Sequence, residues 1–177
     1  VEHDLLPTDV DCTSIGLAVL RTAVGVHDSK GDRTVDRIVS NVDDDGVIHG
    51  KAMVVGASGA IGAACARLLA LASDELWLVS PETAKLLQLK ADIERDEPRA
   101  TVHVATDPAA ALSEMDLIVT ATSAAGHKVL DIMDVKPGCV ITDVARPLDL
   151  SAEDVAKRPD VLVVESGEIE LPGQDVK

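Results

Sequence analysis

One glycine-rich stretch, Gly56-Ala57-Ser58-Gly59-Ala60-Ile61-Gly62, constrains the fold of this chain more than any other. It follows the apolar residues 52–55 and opens an Ala-rich run over residues 63–72. A β-branched run, a glycine turn and a helical pattern in this order are typical of a dinucleotide-binding turn. In such a turn Gly56 permits the tight bend, Gly59 lets the backbone approach a pyrophosphate, and Gly62 lets the helix pack close to the sheet. A plain strand-to-helix connection remains the alternative.

Apolar strands alternate with helical segments along the rest of the chain. A helix over residues 81–95 is predicted to bury Leu86, Leu87, Leu89 and Ile93, and Ser151 opens a short helix with capping-box spacing. This alternation predicts an α/β fold, a doubly wound and mostly parallel sheet of the Rossmann type. The predicted strands are residues 52–55, 75–79, 101–104, 116–120, 139–142 and 161–164, and the predicted helices are 63–72, 81–95 and 108–113.

The first fifty residues have a different pattern. Thr13 or Ser14 is suited to cap a helix with an apolar stripe that runs to Val24, and Asp43-Asp44-Asp45-Gly46 is typical of a solvated turn rather than a metal loop. We therefore expect an N-terminal helical or connecting segment over residues 1–50 and a dinucleotide-binding domain over residues 51–177.

Composition excludes several classes of partner. The net charge of −15 disfavours nucleic acid and anionic membranes, and no window is apolar enough to span a bilayer. Three cysteines without paired spacing argue against a disulfide framework or a zinc site and indicate a reducing compartment, which predicts a cytoplasmic protein. We expect a small-molecule substrate, and a homo-oligomer is compatible with the sequence.

The end of the second predicted strand bears on the choice of cofactor. An acidic residue at this position usually holds the ribose hydroxyls of NAD. Here Val79 is followed by Ser80 and Pro81, and Glu82 is close. Because a serine can hydrogen-bond a 2′-phosphate and Lys85 could add positive charge, the sequence favours NADP over NAD, with NAD as the alternative.

Small residues follow the fourth predicted strand. Thr120, Ala121, Thr122 and Ser123 would let a nicotinamide ribose lie against the backbone at the edge where open α/β sheets bind ligands. A loop that merely needs small residues is the alternative. The candidate cofactor-binding residues are therefore Gly56, Ser58, Gly59, Ala60, Ile61, Gly62, Ser80, Thr120, Ala121, Thr122 and Ser123.

The glycine stretch with its helix resembles the nucleotide domain of the long-chain acyl-carrier-protein reductases, whose bacterial relatives are called predicted amino-acid dehydrogenases. Two later segments, Cys139-Val140-Ile141-Thr142-Asp143-Val144-Ala145-Arg146-Pro147 and residues 164–173, resemble the same family. The resemblance implies an oxidoreductase that reduces an acyl thioester or a related carbonyl with NAD(P)H. The wider group includes shikimate dehydrogenase, glutamyl-tRNA reductase and methylene-tetrahydromethanopterin dehydrogenase.

This chain departs from the family in the parts that carry chemistry. The N-terminal catalytic domain and the segment with the nucleophilic cysteine are not recognisable, and of a Gly-Asn-Ser-x-Thr-Ala-like stretch only Ser14 and Ala18 are kept. We therefore expect a nucleotide module of a larger reductase. An isolated binding or regulatory module, or a shikimate- or methylene-pterin-type dehydrogenase, remains open.

No residue can be assigned as catalytic from the sequence. Cys65 and Cys139 are expected to pack in the core, while Cys12 near a helix start is the more plausible thiolate. His103 is expected to be structural. For each remaining candidate, the alternative to substrate or cofactor contact is a solvated residue or a local salt bridge. These candidates are His127, Asp143, Arg146, Glu165 and Glu168.

Overall fold

The alternating strands and helices of the sequence assemble into one parallel sheet. The structure is a computed structural model that describes residues 48–123 and 128–165. Its strands are β1 (Ile48–Val55), β2 (Ser73–Val79), β3 (Thr101–Ala105), β4 (Leu117–Thr120), β5 (Val140–Asp143) and β6 (Leu162–Glu165). Its α-helices are α1 (Ala60–Ala72), α2 (Thr83–Asp96) and α3 (Ala152–Ala156), and three 3-10 turns cover Pro108–Ala110, Leu112–Glu114 and Ile132–Asp134.

The strand order is that of a doubly wound fold. In the described residues the strands form a six-stranded sheet in the order β3-β2-β1-β4-β5-β6, and every neighbouring pair is parallel. This confirms the predicted α/β fold class. The chain proceeds outward from β1 in one direction and then returns to β4 on its other side, so the carboxyl ends of β1 and β4 flank the point where ligands bind in such sheets.

Both faces of the sheet are buried because each strand points successive side chains to opposite faces. On one face Ala52 and Val54 of β1 join a cluster with Ala66 of α1 and Leu86 of α2. On the other face Met53 packs with side chains from the 3-10 turns and from the loops beside β5 and β6. Strands covered on both sides need the continuous apolar runs that the sequence contains.

Several element boundaries differ from the sequence-based predictions. Helix α2 begins at Thr83 rather than at residue 81, β1 begins at Ile48, and residues 108–113 form 3-10 turns rather than one helix. The prediction that Leu87 faces the core is wrong, because its side chain is 55% exposed. Leu86, Leu89 and Ile93 follow the 3.6-residue period and are buried, whereas Leu87 lies about 100° away from Leu86 around the helix.

Some predictions fall on residues that the structure does not describe. These are the helix that Thr13 or Ser14 would cap, the turn at Asp43 and residues 166–173, which lie outside the described residues. Since β1 begins at Ile48, the expected domain boundary at residue 51 falls inside this strand. Within the described ranges, no helix has the length and apolar character needed to cross a membrane.

Candidate dinucleotide-binding site

A cleft of about 420 Å³ opens at the carboxyl edge of the sheet. It extends from the ends of β2 and β3, past the turn after β1, to the end of β4. This is the edge at which the strand order predicts a ligand site. The lining residues are Val55, Gly56, Ser58, Gly59, Val79, Ser80, Pro81, Glu82, Thr106, Pro108, Ala121, Thr122, Ser123 and Val129.

The turn after β1 requires glycine at Gly56. Its φ is +87°, and a Cβ atom there would lie 2.6 Å from the backbone oxygen of Ala121. The N–H groups of Gly56 and Ala57 donate to the carbonyl of Val79 at 2.8 and 3.2 Å. The turn therefore joins the carboxyl ends of β1, β2 and β4, and no larger residue fits the position.

Gly59 and Gly62 have different roles in the same turn. A Cβ atom on Gly62 would lie 2.2 Å from the backbone oxygen of Gly56, so glycine here allows α1 to start directly against the turn. A Cβ atom on Gly59 would meet nothing closer than that same oxygen at 3.4 Å, and Gly59 lines the cleft. The fold therefore requires glycine at position 62. At position 59 the surrounding protein leaves room for a side chain, and that side chain would occupy the cleft.

Helix α1 begins directly after Gly59, which is its N-cap residue. No described side chain caps this end, and no acidic residue occupies its first turn. The first N–H groups of a helix have no partner within the helix, and the helix dipole places positive potential there. A cleft that reaches an uncapped helix start is suited to an anionic group such as a pyrophosphate.

A hydrogen-bonded cluster of Ser58, Ser80 and Glu82 forms one end of the cleft, and Lys85 joins the cluster through its ion pair with Glu82. The Ser58 hydroxyl donates to the Glu82 carboxylate at 2.8 Å and lies 2.7 Å from the Ser80 hydroxyl, which therefore donates to Ser58. The ammonium of Lys85 is 2.7 Å from the same carboxylate. The hydrogen bonds from Lys85, first, and from Ser58 hold the pKa of Glu82 below its usual range. Glu82 is thus a carboxylate at neutral pH.

The other end of the cleft is formed by residues that follow β4. The N–H group of Ala121 donates to the carbonyl of Val55 at 2.9 Å, which fixes this segment beside the glycine turn. Thr122 then donates from its N–H group to Asp149 at 3.2 Å and from its hydroxyl at 2.5 Å. Ala121, Thr122 and Ser123 all line the cleft.

Most sequence-predicted site residues are gathered at this cleft. Ala60 and Ile61 open α1 beside Gly59, with the Ile61 side chain 60% exposed, and neither lines the cleft. Thr120 is fully buried at the end of β4 and does not line the cleft. The predicted residues that do line it are Gly56, Ser58, Gly59, Ser80, Ala121, Thr122 and Ser123.

Seven lining residues are not among the sequence-based candidates, namely Val55, Val79, Pro81, Glu82, Thr106, Pro108 and Val129. Pro81, Thr106 and Pro108 follow the carboxyl ends of β2 and β3, so position after a strand is the signal that could have found them. Val129 belongs to the loop before β5 and carries no comparable signal. Glu82, which the sequence places only near the strand end, lines the cleft as well.

The described cysteines are poor nucleophiles. Burial raises the pKa of the half-buried Cys65 thiol. Burial, first, and the nearby Asp116 carboxylate raise the pKa of Cys139 to about 12. The sequence-based expectation that both pack in the core agrees with their placement, and Cys12 lies outside the described residues.

The other candidate catalytic residues do not converge on the cleft. His103 stacks on Trp77 with ring centroids 4.6 Å apart, and its Nε2 is 3.0 Å from Glu75. Asp143 is buried and accepts hydrogen bonds from backbone N–H groups, Arg146 donates to the carbonyl of Ala145, and Glu165 ends β6. His127 and Glu168 are not among the described residues. In the described part of the chain, no group of three or more His, Cys, Asp or Glu side chains could hold a metal.

Solved structures with this architecture include two dehydrogenases and a reductase. Quinate dehydrogenase from Corynebacterium glutamicum in complex with NAD matches with a TM-score of 0.54 at 18% identity, over 80% of this chain and 50% of that one. Shikimate dehydrogenase from Aquifex aeolicus matches with a TM-score of 0.55 at 15% identity, over 89% and 50%. The ligand-free form of 5-ketofructose reductase from a Gluconobacter species matches with a TM-score of 0.54 at 16% identity, over 77% and 50%. At these identities the matches show a shared Rossmann-like fold.

A curated relative also matches in sequence. Aminotransferase PigE of a Serratia species is 32% identical over 114 residues, which are 64% of this chain and 13% of PigE. The chain thus spans about half the length of the solved relatives and a small part of this longer protein. No family model matches the sequence.

Proposed function

We propose that this chain is the NAD(P)-binding domain of an oxidoreductase, with residues 51–177 as the nucleotide domain and residues 1–50 as a connecting segment. The observation that carries the proposal is the cleft at the sheet's reversal point. It brings together the Gly56 turn, the uncapped start of α1 at Gly59 and the end of β4 at Thr122. These are the parts that a dinucleotide needs for its pyrophosphate and for a nucleoside on either side.

For the cofactor we propose NAD in preference to NADP, which reverses the sequence-based preference. Glu82 lines the cleft as a carboxylate, and its ion pair offsets the charge of Lys85, the cation that a 2′-phosphate would need. A carboxylate accepts hydrogen bonds from ribose hydroxyls and repels a phosphate at the same place. Ser80, on which the preference for NADP rests together with Lys85, lines the cleft but is only 4% exposed, and its hydroxyl is bonded to Ser58.

For the substrate we propose an acyl thioester or a related carbonyl compound, on the strength of the family resemblance. Reduction of a thioester through an enzyme-bound acyl group requires a reactive thiolate next to the nicotinamide. Cys65 and Cys139 do not fit this role, because burial keeps their thiols protonated at neutral pH. The nucleophile would therefore come from outside the described residues. A reducing, cytoplasmic setting suits the unpaired thiols.

A second candidate is a nucleotide-binding module without chemistry of its own. It is favoured by the cleft itself, in which no described histidine or cysteine takes part. The matched part of PigE is also only 13% of that protein, so this kind of sequence occurs within a much longer chain.

Calorimetric titration of the 177-residue chain with NADH, NADPH and ADP tests the proposal. We expect one dinucleotide site per chain, tighter binding of NADH than of NADPH, and competition by ADP. Failure to bind either dinucleotide at concentrations on the order of 1 mM, where any specific site of useful affinity would fill, would overturn the assignment. Tighter binding of NADPH would restore the sequence-based preference.

A further inference from the structure

We propose that Asp149 is a positioning residue that holds the β4 end of the cleft in shape for the nicotinamide nucleoside. The inference rests on the proposed dinucleotide function. Asp149 does not line the cleft, and its two bonds to Thr122 cross from the loop after β5 to the loop after β4. The carboxylate acts on the ligand only through Thr122.

The Asp149 carboxylate controls both the backbone and the side chain of Thr122. One oxygen accepts the N–H group at 3.2 Å and the other accepts the hydroxyl at 2.5 Å. Bonds to a charged acceptor are stronger than neutral ones, and this pair fixes the side-chain rotamer together with the peptide plane. Thr122 is followed by Ser123, which also lines the cleft.

Asp149 is itself held from behind by Asp143 at the end of β5. The Asp143 carboxylate, 1% exposed, accepts the N–H groups of Asp149 at 2.8 Å and Leu150 at 3.0 Å with one oxygen, and that of Ala145 at 3.1 Å with the other. A buried charge with three such donors fixes the loop after β5 onto the strand. The sheet thus determines where Asp149 stands, and Asp149 determines where Thr122 stands.

The place of Thr122 in the cleft indicates which part of the ligand depends on it. The Ser58–Ser80–Glu82 end provides acceptors for one ribose, and the start of α1 at Gly59 suits the pyrophosphate. The segment after β4 is the remaining end, on the opposite side of β1 from β2. A ligand that stops at the pyrophosphate does not extend to it, whereas a complete dinucleotide does.

The test compares NADH with ADP, which keeps the adenosine and both phosphates but lacks the nicotinamide nucleoside. Titrations of the parent chain and of Asp149→Ala should show NADH affinity falling about tenfold and ADP affinity changing less than about twofold. Thr122→Val removes only the hydroxyl bond and should give a smaller loss, which Thr122→Ser restores. In the double variant Asp149→Ala/Thr122→Val, the NADH loss should be no greater than in Asp149→Ala alone.

Asp131→Ala is the matched control. Asp131 also accepts a backbone N–H group, that of Met133 at 3.0 Å, but it does not line the cleft. We expect it to leave both affinities unchanged, with circular dichroism confirming that every variant is folded. Equal losses of NADH and ADP in Asp149→Ala, or no loss of either, would overturn the positioning role while ADP and NADH binding by the parent keeps the proposed function. Absence of binding by the parent would overturn both.

Discussion

At the scale of single residues, the absence of a side chain has a different consequence at each of the three glycines in the turn after β1. Gly56 has a positive φ, and Gly62 lies where a Cβ would overlap backbone. Gly59 has neither constraint, since its φ of −79° suits any residue and its Cβ position is open on the protein side. The missing side chain of Gly59 leaves space only in the cleft, which is where a ligand would approach.

Replacing Gly59 should therefore separate binding from stability. We expect Gly59→Val to weaken NADH binding at least about tenfold, because its side chain occupies the path of the pyrophosphate, while the unfolding free energy changes by less than about 1 kcal/mol. Gly62→Ala is the contrasting control, since its Cβ meets the Gly56 oxygen at 2.2 Å and should cost about 2–4 kcal/mol of stability. Calorimetric titration and denaturant unfolding of both variants measure the two effects. Unchanged NADH affinity in Gly59→Val would contradict the site.

Glu82 is the residue expected to determine cofactor preference. Glu82→Gln removes the negative charge and leaves Lys85 unpaired, so the affinity ratio of NADPH to NADH should rise about tenfold. Because the pKa of Glu82 is held below its usual range, the preference of the parent should persist at neutral pH and weaken only as the pH falls far enough to protonate this carboxylate.

The control for Glu82 is Glu94→Gln on the same helix. Glu94 is also paired with a lysine, Lys90 at 3.2 Å, and it does not line the cleft. Titrations of both variants with NADH and NADPH measure the ratio. If Glu82→Gln and Glu94→Gln behave alike, Glu82 has no part in the choice of cofactor.

At the scale of elements, β5 lies between a buried thiol, that of Cys139, and a buried carboxyl group, that of Asp143, which ends the strand. Cys139 directly precedes the strand and is fully buried against Ile141 and other apolar side chains on one face of the sheet. Asp143 ends the strand and fixes the loop that reaches the cleft. The strand therefore contributes to the site only through the loop that it anchors. The Cys139 thiol belongs to the core.

The Cys139 thiol should make stability depend on alkaline pH. An unfolded chain releases this proton near its ordinary pKa of 9.0, whereas the folded chain keeps it until about 12. Above pH 9 the unfolded state thus binds fewer protons than the folded state, and stability falls as the pH rises, by about 1.4 kcal/mol per unit. Denaturant unfolding at pH 8 to about 10.5 should show a steeper decline for the parent than for Cys139→Ala. Parallel declines would mean that the thiol is accessible in the folded protein.

At the scale of the whole molecule, the described residues combine a Rossmann-like sheet with a cleft whose described lining includes neither cysteine nor histidine. The sheet, the glycine turn and the cleft are present, while both described thiols are held protonated by burial. The net charge of −15 also makes close approach of an anionic cofactor depend on local donors, such as the first N–H groups of α1, rather than on the overall field.

The 177-residue chain should therefore bind dinucleotide without reducing an acyl thioester. Aldehyde formation from an acyl thioester with NADH or NADPH is the assay, and Cys65→Ala and Cys139→Ala should change stability at most. Turnover by the parent that is lost in Cys12→Ala, and kept in the other two variants, would contradict this expectation and make Cys12 the nucleophile.

The sequence by itself determined the fold class and the centre of the candidate site. Apolar runs of strand length, the 3.6-residue stripe of α2 and the glycines between β1 and α1 are local patterns, and local patterns predict local geometry. Gly56, Gly59 and Gly62 therefore had their structural setting predicted from spacing alone. The core placement of Cys139 followed from its position beside an apolar strand.

Only the tertiary structure decided which side chains complete the cleft. Ser58 and Glu82 are 24 residues apart and Thr122 and Asp149 are 27 apart, yet both pairs are hydrogen-bonded because parallel strands bring their carboxyl ends to one edge. No periodicity in the chain relates such residues. For the same reason, the sequence did not show that Ser80, which lines the cleft, is hydrogen-bonded to Ser58, nor that Ser58 donates to Glu82. Strand pairing, which is non-local, sets these contacts, and spacing along the sequence does not encode it.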